Sequence, residues 1–165
     1  MNTKSWAFGL MSGAVMAAAA HAQTVDIQDA WVRATVAGQQ ATGAFMNITA
    51  DQDMTLIGVS SPVAGVSQVH EMSMQNDIMR MSEMKAGLPL PAGQTVTLKP
   101  GGYHLMLMDL KQAVEVGQQV QVRLTLRDAQ GQTSQRDLTL PAKPLAMKHG
   151  QGMKHKQGMS HSHGD

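Results

Sequence analysis

Methionine and histidine are concentrated in two stretches of this chain, and both side chains can bind metal ions. The sequence has fifteen methionines, seven histidines and no cysteine. Most of them fall between residues 70 and 108 or between residues 147 and 163. Thioether sulfur is a soft donor that suits Cu(I), whereas imidazole also serves Cu(II), zinc and nickel. The combination predicts copper ahead of other metals.

Four side chains of the first stretch form the principal candidate site: His70, Met81, His104 and Met106. Cu(I) accepts three or four such ligands without demanding one geometry, and these neutral donors compensate its charge only modestly. The predicted site can therefore hold copper and still release it. Taken singly, each methionine is better explained by packing and each histidine by hydrogen bonding, so the joint pattern carries the prediction. Packing or a supporting apolar shell is expected for Met72, Met74, Met79, Met84 and Met108, and a core position for Met46 and Met54.

The elements that must position these ligands are short β-strands. Between residues 25 and 140, segments rich in Val, Thr, Ile and Leu are broken by Gly, Pro, Asn or Asp about every eight to twelve residues. With no helical stretch of useful length, this pattern predicts an all-β fold, a Greek-key β-sandwich. The predicted strands cover residues 27–35, 42–49, 54–60, 65–74, 78–83, 94–98, 104–110, 118–126 and 135–140.

Alternation along these strands separates core residues from candidate ligands, because residues two apart share a face. Leu105 and Leu107 are expected to anchor their strand in the core and to leave His104 and Met106 at a rim. The segment 70–74 likewise places His70 on one face with two methionines. A Pro-Gly-Gly turn at residues 99–102 precedes the strand of His104, and a second turn is expected at residues 89–93.

The ends of the chain are expected to lie outside this domain. Residues 1–22 resemble an export signal, with Lys4, an apolar run and a small-x-small end at Ala20–Ala22. The alternative is a membrane anchor, but the run of roughly fifteen residues is shorter than the roughly twenty that a spanning helix needs. We therefore predict cleavage, no stable membrane insertion afterwards and a periplasmic location. The domain is assigned to residues 23–140.

Residues 141–165 are predicted to be a flexible, disordered Met/His-rich tail. A six-residue repeat begins at Met147, and because few apolar side chains other than methionine are available, burial cannot offset the entropy of ordering it. Such a tract can bind Cu(II) through imidazoles or Cu(I) through thioethers. The alternative is a promiscuous linker that binds any abundant divalent metal. The tail candidates are Met147, His149, Met153, His155, Met159, His161 and His163.

Several functional classes are disfavoured by what the sequence contains. The net charge of +1 gives no basic field for nucleic acid. No defensible Ser-His-Asp arrangement, Cys nucleophile or His-Glu-x-x-His motif supports an enzyme. A blue-copper electron carrier would need a cysteine thiolate. The sequence therefore indicates a metal-binding protein that is not an enzyme.

The run from His70 to Lys111 resembles the PCu(A)C family of periplasmic copper chaperones. That family's pattern is a His, ten residues, a Met, about twenty-one residues and then His-x-Met. His70 and Met81 enclose ten residues here, and His104-Leu105-Met106 provides the close. The second interval is twenty-two residues, which leaves Met79 or Met84 as alternatives to Met81.

The resemblance extends over roughly residues 25–140, including the segment Ala30-Trp31-Val32-Arg33-Ala34. It implies a cupredoxin-like sandwich that binds Cu(I) near its surface and delivers it toward the copper centres of cytochrome c oxidase. The expected recipient is the oxidase copper-site subunit or a Sco-type thiol protein. A periplasmic copper buffer or resistance protein without a dedicated recipient is the alternative, since both functions need the same ligands.

Overall fold

A computed structural model describes residues 24–144, so the predicted export signal and the tail candidates from Met147 onward lie outside the described residues. Ten strands make up the regular structure of this part, and the all-β prediction is confirmed. No helix of the length and apolarity required to cross a bilayer occurs within residues 24–144. The strands are β1 (Val25–Arg33), β2 (Ala41–Ala50), β3 (Met54–Ser60), β4 (Ala64–Gln75), β5 (Ile78–Glu83), β6 (Leu88–Leu90), β7 (Thr95–Leu98), β8 (Tyr103–Leu110), β9 (Gln119–Asp128) and β10 (Thr133–Lys143).

The strands are hydrogen-bonded in the order β5-β4-β8-β7-β2-β1-β10-β9-β3-β6, and β8 also pairs with β2. Parallel pairing of β1 with β10, at Val32 with Ala142 and Arg33 with Lys143, joins two groups of strands that are antiparallel except where β7 meets β8. Both groups contribute to a single core: Leu105 comes from β8 and Leu124 from β9, and both are fully buried. The structure is therefore the predicted two-layer sandwich.

Alternation explains which side of each strand enters the core. On β9, Val120, Val122, Leu124 and Leu126 are buried, whereas Gln121 and Arg123 are exposed. On β8, Leu105 and Leu107 are fully buried, as predicted. The neighbouring residues of β8 therefore point away from the core, to the outer face of the sheet.

A short tenth strand, β6, was not predicted from the sequence. Residues 89–93 were expected to form a turn, but Pro89 and Leu90 belong to β6, which pairs with the edge of β3. Proline is tolerated because β6 is the last strand of the sheet, where a missing N–H breaks no interior ladder. Leu88 and Leu90 on either side of it are buried in the core, which fixes the segment as a strand.

Two turns position the strands of the candidate site. Asn76 and Asp77 both have positive φ, 50° and 60°, and form a two-residue loop between β4 and β5. Positive φ at both central residues is the geometry of the type I′ turn, whose twist matches an antiparallel hairpin. The second turn is the predicted one at residues 99–102, where Gly101 has φ of 83° and the Gly102 N–H donates to the Lys99 carbonyl at 3.1 Å.

Candidate metal centre

The two domain histidines face each other across adjacent strands. His70 on β4 is the register partner of His104 on β8, and the two rings lie 5.8 Å apart, centroid to centroid, at 63°. They lie on the outer face of the sheet, opposite to Leu105, yet both are buried, with exposed fractions of 7% and 6%. The expectation of a rim position for His104 is therefore wrong, while Met106 beside it is half-buried.

An aromatic row covers His104 on the side away from His70. Phe45 of β2 has its ring centroid 6.5 Å from that of His104, and Trp31 of β1 lies 4.7 Å beyond Phe45. A bulge of β1 at Asp29, whose φ is 52°, sets the register that pairs Trp31 with Phe45. This packing shields the imidazole from water, which is why a histidine outside the core is nonetheless buried.

Gly43 makes room for the aromatic row. A Cβ atom at this position would lie only 2.8 Å from Cζ of Phe45, closer than such atoms approach in proteins. Gly43 is also the register partner of Met106 on β8. The missing side chain therefore leaves room for the Phe45 ring beside the candidate ligands.

The hydrogen bonds of the two imidazoles leave one nitrogen free on each ring. His104 Nδ1 lies 3.0 Å from the Gly102 carbonyl oxygen, which can only accept, so Nδ1 carries the hydrogen and Nε2 keeps a lone pair. His70 Nε2 lies 2.9 Å from Oε1 of Gln68 and donates to it. The remaining His70 Nδ1 is buried without any hydrogen-bond partner.

Burial also keeps His70 in the form that can bind a metal. Loss of solvation lowers the pKa of His70 below its usual value, and the nearby His104 lowers it further, while Glu83 acts in the opposite direction. At neutral pH His70 is therefore an uncharged imidazole with a lone pair at Nδ1. A buried polar atom without a partner is costly, and a bound cation would compensate it.

Thioethers flank the imidazole pair on both sides along the strands. Met106 is the register partner of Gln68, two residues before His70 on β4. On the other side, Met72 of β4 faces Met81 of β5, whose exposed fraction is 49%. Met72, Met81, His104 and Met106 line one surface depression of about 280 Å³.

Three adjacent strands place the four predicted ligands near one another, although His70 is not among the residues that line the depression. His70 is the central residue, because His104 lies directly opposite it, and Met106 and Met81 are its diagonal neighbours on β8 and β5. Diagonal neighbours in a sheet are about 7–8 Å apart at their Cα atoms, within reach of long side chains.

The alternatives to Met81 lie farther from the imidazoles. Met79 pairs with Met74, two residues closer to the hairpin loop than the pair of Met72 and Met81. Met84 packs against the hydrophobic core. Met46 and Met54 are buried core residues, as predicted. The seven tail candidates, from Met147 to His163, lie outside the described residues.

Sequence reasoning missed three contributors to this site. It assigned Met72 to packing and gave no role to Gln68 or Phe45. The alternation of β4 contained a signal for the first two, since Gln68, His70 and Met72 share one face. No comparable signal existed for Phe45, because its contact with His104 depends on the pairing of β2 with β8, strands separated by more than fifty residues.

The imidazoles and thioethers of the site are neutral donors, and the thioethers are soft. Within residues 24–144, no three His, Cys, Asp or Glu side chains converge in a way that could hold a metal ion. The neutral donors that lie beside the two imidazoles are thioethers, which bind Cu(I) in preference to hard divalent ions. The exposed carboxylate of Glu83 pairs with His70 across β4 and β5. The residues present therefore fit a monovalent copper ion.

Comparisons with known proteins agree with this fold. The model of the LpqE-like family matches residues 25–142. A protein named "Putative lipoprotein Lxx21020" from Leifsonia xyli is 37% identical over 125 residues, which cover 76% of this chain and 73% of that protein.

Solved structures with the same fold include a copper-bound PCuAC domain from PmoF2. It is 24% identical, with a TM-score of 0.58 over 73% of this chain and 93% of that one. DR1885 of Deinococcus radiodurans, solved in its Cu(I) form, is 30% identical, with a TM-score of 0.51 over 71% of this chain and 76% of that one. These likenesses confirm the sandwich architecture that the resemblance implied.

Proposed function

Because the chain belongs to the LpqE-like family, we propose that it is an exported copper chaperone that binds Cu(I) through His70, Met81, His104 and Met106. The observation that carries this proposal is the buried imidazole pair with an unpartnered Nδ1 on His70 and thioethers on both sides. The Cu(I) form of DR1885, a relative of 30% identity, supports the same metal.

The distribution of burial among the ligands suits transfer of the ion. The two imidazoles are buried, whereas Met81 lies half-exposed on β5, the edge strand of the sheet. A donor from a recipient protein can approach from this edge and replace Met81 before the buried ligands release the ion. The proposed recipients in the periplasm are the copper-site subunit of cytochrome c oxidase and a Sco-type thiol protein.

The tail is proposed to collect copper and to raise its local concentration at the domain site. Arg33 lines the depression, and its register partner Lys143 is the last residue of β10. From Lys143, a fully extended chain spans at most about 14 Å to Met147, at roughly 3.5 Å per residue. The tail thus starts beside the site, and tethering favours transfer over short distances. Its donors suit Cu(II) as well as Cu(I).

X-ray absorption of the full chain loaded with one equivalent of Cu(I) tests the ligand set. We expect sulfur and nitrogen neighbours around copper, and a smaller sulfur signal when Met72, Met81 and Met106, the thioethers that line the depression, are all replaced by leucine. Met79→Leu is the matched control, because Met79 lies on the same face of β5 as Met81 but one step farther out. A spectrum with only nitrogen and oxygen neighbours would refute the proposal.

A transfer assay separates delivery from buffering. The Cu(I)-loaded chain is mixed with the apo copper-domain of cytochrome c oxidase, and the metal content of each protein is measured after separation. Movement of copper to the oxidase domain supports delivery. Retention by the chain at equilibrium favours the copper buffer instead.

A further inference from the structure

We propose that Met72 is a third thioether ligand of the copper site, one that replaces Met81 on the ion while copper is handed over. This inference rests on the proposed function. Its basis is that Met72 lines the same depression as Met81, His104 and Met106, and stands directly opposite Met81 across β4 and β5.

The strand order places Met72 between the other ligands. β4 lies between β5, which carries Met81, and β8, which carries His104 and Met106. Neighbouring strands are about 4.8 Å apart, so Met81 must reach across roughly twice that distance to share an ion with a ligand on β8. Met72 is one strand closer to β8, on the same outer face.

The backbone of Met72 is held by the turn that also holds His104. The Met72 N–H donates to the Gly102 carbonyl at 3.1 Å, and this carbonyl also accepts from His104 Nδ1. Gly102 is the residue before β8, and a Cβ atom there would meet the Lys99 side chain at 3.5 Å. The Met72 side chain is half-buried and is a diagonal neighbour of His104.

The mobility expected of the two thioethers differs. All six residues of β5 are exposed, and this strand is paired only with β4, whereas Met72 belongs to a strand with partners on both sides. The bond between copper and Met81 is therefore easier to break than a bond between copper and Met72. The bond from copper to the Met81 sulfur breaks as a bond to the Met72 sulfur forms, and both donors are neutral, so no proton or electron moves.

Because the site has more donors than one Cu(I) ion needs, the effects of removing single donors on Cu(I) affinity should not be additive. Five donors converge here, two imidazoles and three thioethers, whereas Cu(I) takes three or four. Each of Met72→Leu and Met81→Leu then leaves a complete ligand set, and each should weaken Cu(I) binding by less than about tenfold. The double variant should bind about tenfold more weakly than the product of the two single effects, a coupling typical of residues that act together.

Methyl-labelled methionine in the full chain provides the readout. The ¹³C-methyl resonance of Met106 reports occupancy of the domain site separately from the tail, during competition between the protein and a Cu(I) chelator. The methyl resonance of Met72 should itself shift on addition of Cu(I), and shift further in Met81→Leu. The matched control is Met74→Leu with Met79→Leu, a cross-strand pair of the same two strands one step farther from the imidazoles.

The outcomes distinguish this inference from the proposed function. If wild type binds Cu(I) but the Met72 resonance stays unchanged and the double variant equals Met81→Leu, Met72 only packs and the inference fails. If the Met106 resonance of wild type is insensitive to Cu(I), the copper site itself is wrong and both proposals fall. A control pair that weakens binding as much as the double variant would also overturn the inference.

Discussion

The hydrogen bond from His70 to Gln68 gives the most direct test of how this site is built. Gln68 Oε1 accepts from His70 Nε2 at 2.9 Å, which leaves Nδ1 as the buried nitrogen available to copper. In Gln68→Leu this partner is lost, so the ring can rotate or change tautomer. Residues that orient a metal-binding histidine typically contribute 10–100-fold to metal affinity. We expect Cu(I) binding to weaken by the same factor, which corresponds to a loss of about 1.4–2.7 kcal/mol in binding free energy.

A second variant separates orientation from packing. Gln68→Glu keeps an oxygen acceptor of nearly the same shape, so it should retain most of the affinity that Gln68→Leu loses. The assay is competition between the full chain and a Cu(I) chelator, read through the Met106 methyl resonance. Equal affinities of wild type and Gln68→Leu would refute the assignment of Nδ1 as the copper-binding nitrogen. So would equal losses in both variants, which would indicate a packing effect.

Three further predictions concern stability and the tail. Gly43→Ala should destabilise the apo-protein by about 1–3 kcal/mol in urea unfolding, the usual cost of overpacking, because its Cβ meets the Phe45 ring. Gly58→Ala is the control, since its nearest contact would be an ordinary 3.6 Å, and equal effects would contradict the argument. The lowered pKa of His70 means that the unfolded chain binds more protons just below pH 6.5, so stability should fall as the pH drops through that region. His70→Gln should reduce this pH dependence, and an unchanged slope would count against it. Deletion of residues 146–165 should remove binding of extra copper but keep one Cu(I) per domain, measured by metal analysis after gel filtration. Loss of the tight Cu(I) site would exclude the two-site arrangement.

Most strands could be predicted because their signals are local. β3 and β5 have the predicted limits, since alternation and turn residues lie within the same few positions. β6 was missed because three residues with a central proline give no usable alternation. Only its pairing with β3, more than thirty residues away, makes Leu88–Leu90 a strand.

The sequence supplied the candidate residues of the site but not their arrangement. The types and spacing of His70, His104 and Met106 indicated a copper site before any geometry was known. Their burial could not be predicted, because it depends on Phe45 and Trp31 from strands β2 and β1. The register that sets His70 opposite His104 is also non-local, and a slip of one residue would turn every side chain of β4 to the other face.

Under the proposed function, the exposure of β5 makes this edge of the sheet the easier side for release of copper. Four rings in contact cross the sheet from β1 toward the free edge at β5. They are, in order, Trp31, Phe45, His104 and His70. At the aromatic end of this row Phe45 packs against His104, and Arg33 and Gly43 line the surface depression beside it. The other end finishes at a strand whose residues are all exposed. Under the proposed function, a recipient that approaches from β5 meets Met81 first, then Met72 and His70 on β4, and His104 and Met106 on β8 last. Phe45→Ala should uncover His104 and let a chelator remove Cu(I) faster, because the Phe45 ring packs against this imidazole, whereas an unchanged rate of removal would contradict that role of Phe45.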